Sequence, residues 1–221
     1  MKLLVKYGKA GQARFASHRD FARSFERAIR RARIPMAYSS GFSPHPRISY
    51  INPAPTGVAS VAEYLVIALS QTCDPATIAT CLNQATPAGF EIIDVTDCPA
   101  DLRFEASLWL VELPGTSQEG IKRAVEQFLA APECLVSRET KNGLRTFDTR
   151  AAVIGLEFSP PGPDEDAGRL RLTMVIRHME PLVRADDVIT ALRRIADLPE
   201  MSTQITRLEQ GKLASLLSDI R

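Results

Sequence analysis

The sequence predicts an α+β protein built from two tandem ferredoxin-like halves of the βαββαβ type. Three observations carry this expectation. At 221 residues the chain is long enough for two domains of about 100 residues each. In its first half, stretches of period-two alternation and of helical periodicity follow one another in the order strand, helix, strand, strand, helix, strand. The second half repeats that order loosely, without convincing identity between the halves. The expected division lies near Pro99–Asp101, giving an N-terminal domain over 1–99 with a basic helix and a C-terminal α+β domain over 100–221.

Leu3, Val5 and Tyr7 alternate with Lys2, Leu4 and Lys6, which predicts a first strand. Residues 8–13 contain two glycines and read as a turn. Ser17 is placed to cap a helix, with Asp20 three residues on. Phe21, Phe25, Ala28, Ile29 and Ala32 then form an apolar stripe. Arg19, Arg23, Arg27 and Arg30 form a second stripe, with Glu26 within pairing distance of Arg23 or Arg30. Pro35 limits the helix. Residues 39–46 read as a loop, in which Gly41 permits positive φ and Pro44 and Pro46 stiffen the chain. Strands are expected over 47–51, 61–69 and 90–95. Between the last two, Asp74-Pro75 announces a helix carrying Ile78, Cys81, Leu82 and Ala85.

In the second half Phe104, Ala106, Leu108 and Leu110 alternate as a strand. Thr116 and Glu119 suggest a capping box before a helix with Ile121, Val125, Phe128 and Leu129. Strands over 135–140 and 144–148 flank Asn142-Gly143, a hairpin dipeptide. A strand over 151–158 leads to an acidic hairpin tip over 159–168, and Leu170, Leu172, Met174 and Ile176 return from it. Val188, Leu192 and Ile195 mark a helix, Ile205 and Leu208 an edge strand, and 213–220 a short terminal helix.

Composition narrows the function classes. Hydrophobic residues make up 45% and charged residues 24%, which is the globular range and not that of a disordered chain. No apolar run reaches the ~18 residues of a membrane span. The start, MKLLVKYGK, lacks the pattern of a signal peptide, so the cytoplasm is the expected compartment. Cys73, Cys81, Cys98 and Cys134 form no CxxC pair, so no metal or cluster is expected, and the thiols are expected to be reduced. No cofactor motif, phosphate-binding glycine loop or HExxH or GxSxG element is present.

The net charge of +1 hides an asymmetry. Residues 1–50 hold eleven Lys/Arg against Asp20 and Glu26, a balance of +9, which leaves −8 for the rest. A basic segment on an acidic protein points to a localised anionic partner. Arginine binds phosphate in two-pronged fashion and stacks on bases, so Arg14, Arg19, Arg23, Arg27, Arg30 and Arg47 are the candidate phosphate contacts. The loop adds Tyr38, Phe42, Ser43 and His45. Its aromatics can stack on unpaired bases and its hydroxyl can contact phosphate. The plain alternative is an ordinary connection with Tyr38 and Phe42 plugging the core. His18 and His45 are the weak catalytic candidates, as an acid–base pair for strand cleavage. Asp148-Thr149-Arg150 reads as a salt-bridged element, and Trp109 as packing.

The run RFASHRDFARSFERAIRRARIP, then YSSGFSPHPRISY, then the proline-rich segment to Gly57 with Glu63-Tyr64 beyond, resembles the radical-SAM-linked protein family. The likeness is densest over 14–64. Asp148-x-Arg150 resembles that family's Asp-x-Arg element, though Thr149 and Ala151-Ala152 depart from its more apolar, proline-containing version. The family is bacterial and of uncharacterised function. Its members are fused behind a radical S-adenosylmethionine enzyme or encoded beside one. The chain lacks the CxxxCxxC signature of such enzymes, so the resemblance implies the accessory half, with the radical enzyme as partner in trans. The GFSPHP segment is also similar to that of tandem ferredoxin-like endoribonucleases that process CRISPR repeat RNA. The expected function is therefore a non-catalytic RNA-binding accessory protein acting in transfer or ribosomal RNA modification or maturation. The alternatives are a metal-independent endoribonuclease and a protein–protein adaptor.

Overall fold

Alternation creates the first strand. Leu3, Val5 and Tyr7 are buried on one side of β1 (Lys2–Lys9), while Lys2, Leu4 and Lys6 stay at least partly exposed. The structure is a computed structural model that describes residues 1–140, 143–160, 169–200 and 202–217. It is a mixed α+β protein whose chain divides into two compact units, Met1–Leu102 and Arg103–Arg221.

In the first unit β1 leads through a 3-10 turn (Gly11–Phe15) to α1 (His18–Arg31). Next come β2 (Ile48–Ile51), β3 (Ala59–Ala68), α2 (Pro75–Ala85) and β4 (Phe90–Asp97). The strands pair antiparallel: Leu3 faces Ile67, Val5 faces Val95, and Tyr50 of β2 faces Leu65. Their order across the sheet is β4-β1-β3-β2. Both helices lie on one sheet face. Phe21, Phe25 and Ile29 of α1 and Ile78 and Leu82 of α2 share a core with Leu3, Val5, Tyr7, Leu65 and Ile67. Each such large side chain contributes roughly 1.5–3 kcal/mol by burial. Gly89 is required where the chain enters β4. Its φ is +87°, and a Cβ there would stand 2.7 Å from the Ala13 Cβ.

In the second unit β5 (Ala106–Pro114) is followed by α3 (Gln118–Ala130) and a separate hairpin of β6 (Leu135–Thr140) and β7 (Gly143–Asp148). Then come α4 (Thr149–Ala152), β8 (Val153–Ser159), β9 (Arg169–Arg177), α5 (Ala185–Ile195), β10 (Gln204–Gly211) and α6 (Leu213–Leu216). The pairs β5–β9, β8–β9 and β5–β10 are antiparallel, in the order β10-β5-β9-β8.

Phe104, expected in the fifth strand, lies before it, Leu129 is exposed, and three other departures from the sequence expectation have a local chemical cause. The cap of α3 is Ser117, whose Oγ accepts from the Gly120 N–H at 3.3 Å, and not Thr116. The strand expected from residue 151 starts at Val153, because Asp148 caps a turn of helix first. The strand around Ile205 and Leu208 extends over eight residues, because Arg207 and Gln210 are themselves buried and hide its alternation. Asn142 of the hairpin dipeptide, residues 161–168 of the acidic tip and residues 218–220 of the terminal helix lie outside the described residues.

Candidate nucleic-acid interface

The candidate interface begins with the pitch of α1. At 3.6 residues per turn, Arg19, Arg23, Arg27 and Arg30 fall within an arc of roughly 80°, opposite the phenylalanine stripe. Ser17 starts the helix: its Oγ accepts from the Asp20 N–H at 3.2 Å and donates to the Asp20 carboxylate at 2.6 Å. With Phe21, Phe25, Ala28 and Ile29 buried, the four arginines are left exposed. Among the described residues none of the four forms an ion pair or a side-chain hydrogen bond. Glu26 pairs with neither Arg23 nor Arg30. Glu26 stands near enough to Tyr50 for its charge to act on that phenol.

Arg14 stands apart from this stripe. It lies in the 3-10 turn, half-buried, with its guanidinium 4.7 Å from the Phe15 ring centroid. Its carbonyl accepts from the Gly57 N–H at 2.7 Å, which ties the turn to the proline-rich loop. Glu63 holds the same loop: its buried carboxylate accepts from the Ala54 N–H at 2.9 Å, and Lys9 donates to the Ala54 and Pro55 carbonyls at 3.3 and 3.1 Å. Glu63 and Lys9 thus build the scaffold and do not face solvent.

The segment 37–47 folds back on itself. The Ser39 N–H donates to the His45 carbonyl at 2.9 Å, the Arg47 N–H to the Ala37 carbonyl at 2.9 Å, and Tyr38 bridges Pro46. The Ser39 Oγ accepts from the His45 N–H at 3.0 Å and closes the turn. Tyr38, Phe42, Ser43 and His45 are all exposed, Phe42 fully. The two aromatics therefore do not plug the core.

These elements do not form one continuous patch. Ile48 and Tyr50 of β2 point to the helix-covered face. Their neighbours Arg47 and Ser49 accordingly point to the other face, where a cleft of about 290 Å³ is lined by Lys2, Ser39, His45, Arg47 and Ser49 over Val66 and Ala68. The arginine stripe and the pair His45/Arg47 thus belong to opposite sides of the sheet. His18 is on the helix side, its ring edge-on to Tyr50 with centroids 4.8 Å apart. His18 and His45 are not brought together, and no acid–base pair forms from them. The sequence did not place Lys2 and Ser49 beside the loop, because only the strand register aligns them with it.

The remaining polar groups are structural. Asp148 Oδ1 accepts from the Cys134 and Arg150 N–H groups at 2.8 and 2.9 Å. Arg150 reaches back to the Leu129 carbonyl at the end of α3 and to the Val153 carbonyl. The Asp-x-Arg element is a clamp between α3, β7 and β8. His178 Nδ1 donates to the Phe104 carbonyl at 2.8 Å, which leaves Nε2 to accept from the Ser107 hydroxyl at 2.7 Å. Ser107 is 1% exposed, so the pair offers no nucleophile to a substrate. All four cysteines are free and half-buried. Among the described residues no three His, Cys, Asp or Glu cluster as metal ligands, and no helix is long and apolar enough to cross a membrane.

A family model described as an uncharacterized protein conserved in bacteria (DUF2344) matches residues 2–185. The chain belongs to this family. No curated protein matches it. Among solved structures, a chain in the crystal structure of a Cbf5-Nop10-Gar1 complex is similar in fold, with a TM-score of 0.51 at 9% identity. That alignment covers 94% of this chain and 48% of the other, so the chain spans about half the length of the protein it matches. An unknown protein from Galdieria sulphuraria aligns over 93% of this chain and 97% of its own, at 16% identity and a TM-score of 0.28. The first likeness is one of fold, and the second carries no argument.

Proposed function

We propose that this member of the family is a non-catalytic RNA-binding accessory protein of the cytoplasm. It presents a structured RNA, transfer or ribosomal, to a radical S-adenosylmethionine partner. The observation that carries the RNA reading is the stripe of Arg19, Arg23, Arg27 and Arg30: exposed, on one helix face, and without a carboxylate partner among the described residues. Arginines neutralised by acids would merely solubilise a helix, whereas unpaired ones release counterions from a phosphate backbone. The exposed Phe42 and Tyr38 add stacking surfaces for unpaired bases. The radical partner rests on the resemblance of residues 14–64 to the radical-SAM-linked family.

We read each unit as a ferredoxin-like half. Both share the strand order 4-1-3-2 once the β6–β7 hairpin and α4 are set aside as an insertion. In this reading α1 is the first helix of its half, which commits its phenylalanines to the core and leaves the arginines for a partner. The endoribonuclease alternative would have to work through His18 or His45 singly, since the two lie on opposite sides of the sheet.

The test is an RNA-binding titration of the parent and of Arg23→Ala/Arg27→Ala/Arg30→Ala. The triple variant is expected to bind at least tenfold more weakly with an unchanged thermal midpoint. Equal binding by the two proteins refutes the reading. Capture of a protein partner that survives nuclease treatment, without RNA binding, would favour the adaptor instead.

A further inference from the structure

The cleft on the sheet face away from the helices has its own chemistry. Lys2 of β1 pairs with Ala68 of β3, and the Ala68 N–H donates to the Arg47 carbonyl at 3.0 Å on the other side. Lys2, Ala68 and Arg47 thus form one cross-strand row, with the smallest side chain in the middle. Neighbouring strands lie about 4.8 Å apart, so the two cations rise roughly 10 Å from each other across a notch. His45 and the hydroxyls of Ser39 and Ser49 close the rim, and no carboxylate lines it. The floor is apolar, made by Val66, Ala68 and Pro46. Neither Lys2 nor Arg47 has an ion-pair partner among the described residues.

We infer that this cleft binds a nucleotide through its phosphate monoester. Lys2 and Arg47 clasp the phosphate from two sides, and the nucleoside lies on the apolar floor. Two cations flanking a notch that no carboxylate lines suit a compact dianion, and an apolar floor with few polar groups suits a base and sugar. At about 290 Å³ the cleft takes one such unit and not a helix of nucleic acid. The same phosphate chemistry is offered by a free mononucleotide and by the 5′-phosphorylated end of an RNA. The inference rests on the RNA reading only for the second source, since the arginine stripe lies on the other face.

Calorimetric titration of the full chain with adenosine 5′-monophosphate, with adenosine, and with an RNA oligonucleotide carrying either a 5′-phosphate or a 5′-hydroxyl tests it. Adenosine 5′-monophosphate is expected to bind at least tenfold more tightly than adenosine. Lys2→Ala/Arg47→Ala is expected to remove that preference at an unchanged thermal midpoint, since both side chains are exposed. Arg23→Ala/Arg27→Ala/Arg30→Ala is expected to bind the mononucleotide like the parent even while losing RNA, which separates the cleft from the stripe. A 5′-phosphate advantage on RNA, lost in the Lys2/Arg47 variant, supports the inference with the RNA end as source. Mononucleotide binding without that advantage supports it with the free nucleotide. Failure of the monophosphate to outbind adenosine, or equal preference in the Lys2/Arg47 variant, overturns it.

Discussion

Tyr50 shows what a single side chain contributes here. Its ring packs between His18 and Phe21, and its hydroxyl is buried with no hydrogen-bond partner among the described residues. Burial, with the nearby Glu26 charge, pushes the phenol above the ordinary tyrosine range. A buried hydroxyl without a partner costs free energy, so Tyr50→Phe is expected to leave stability unchanged or raise it by about 1 kcal/mol. Denaturant unfolding checks this, and a clear loss would mean that the hydroxyl is bonded. His178 gives the pH counterpart. Burial, with Arg207 opposing its charge, holds its imidazole below the usual value despite the Phe104 carbonyl bond. The folded state therefore binds this proton less readily than the unfolded chain. Its contribution is complete above pH ~6.5 and is lost as pH falls from there through the lower folded value. The unfolding midpoint of the parent should drop between pH 7.5 and 5.5, and His178→Gln should flatten that drop. Asp148 completes the set: Asp148→Ala removes an acceptor from two backbone donors and should cost roughly 1–2 kcal/mol.

At the scale of elements, α1 and the hairpin over 37–47 divide the work. The start of the helix was legible in the sequence to the residue, because Ser17 and the phenylalanine spacing agree, whereas its end was bounded only by Pro35. The hairpin's tip was legible as a loop, but its exposure was not. Whether Phe42 enters a core depends on the Ser39–His45 closure, which no spacing reveals. The cleft row of Lys2, Ala68 and Arg47 joins residues up to 66 positions apart, and only strand register assembles it. In the second unit buried Arg207, 5.2 Å from the Trp109 ring, disguised β10. Since Phe42 is fully exposed, Phe42→Ala should leave the thermal midpoint unchanged. Loss of one stacking platform should weaken single-stranded RNA binding by about 1–3 kcal/mol. Fluorescence anisotropy with a labelled oligonucleotide reads the second effect and calorimetric melting the first.

At the scale of the whole molecule, charge is the organising quantity. A net +1 conceals +9 in the first 50 residues and −8 in the remainder. On the RNA-binding proposal, a polyanion would be drawn to the basic first segment and repelled by the acidic remainder, which would favour orientation over general adhesion. Binding of this kind has a thermodynamic mark, since each phosphate neutralised releases counterions. The most direct test is the RNA association constant measured across a series of salt concentrations. With Arg19, Arg23, Arg27 and Arg30 each meeting a phosphate, log K should fall against log salt with a slope of about −3 for a single strand. Removing Arg23, Arg27 and Arg30 should bring it to about −1. A slope near zero, or one that the triple variant leaves unchanged, would contradict the assignment of the α1 arginines as the RNA-binding face.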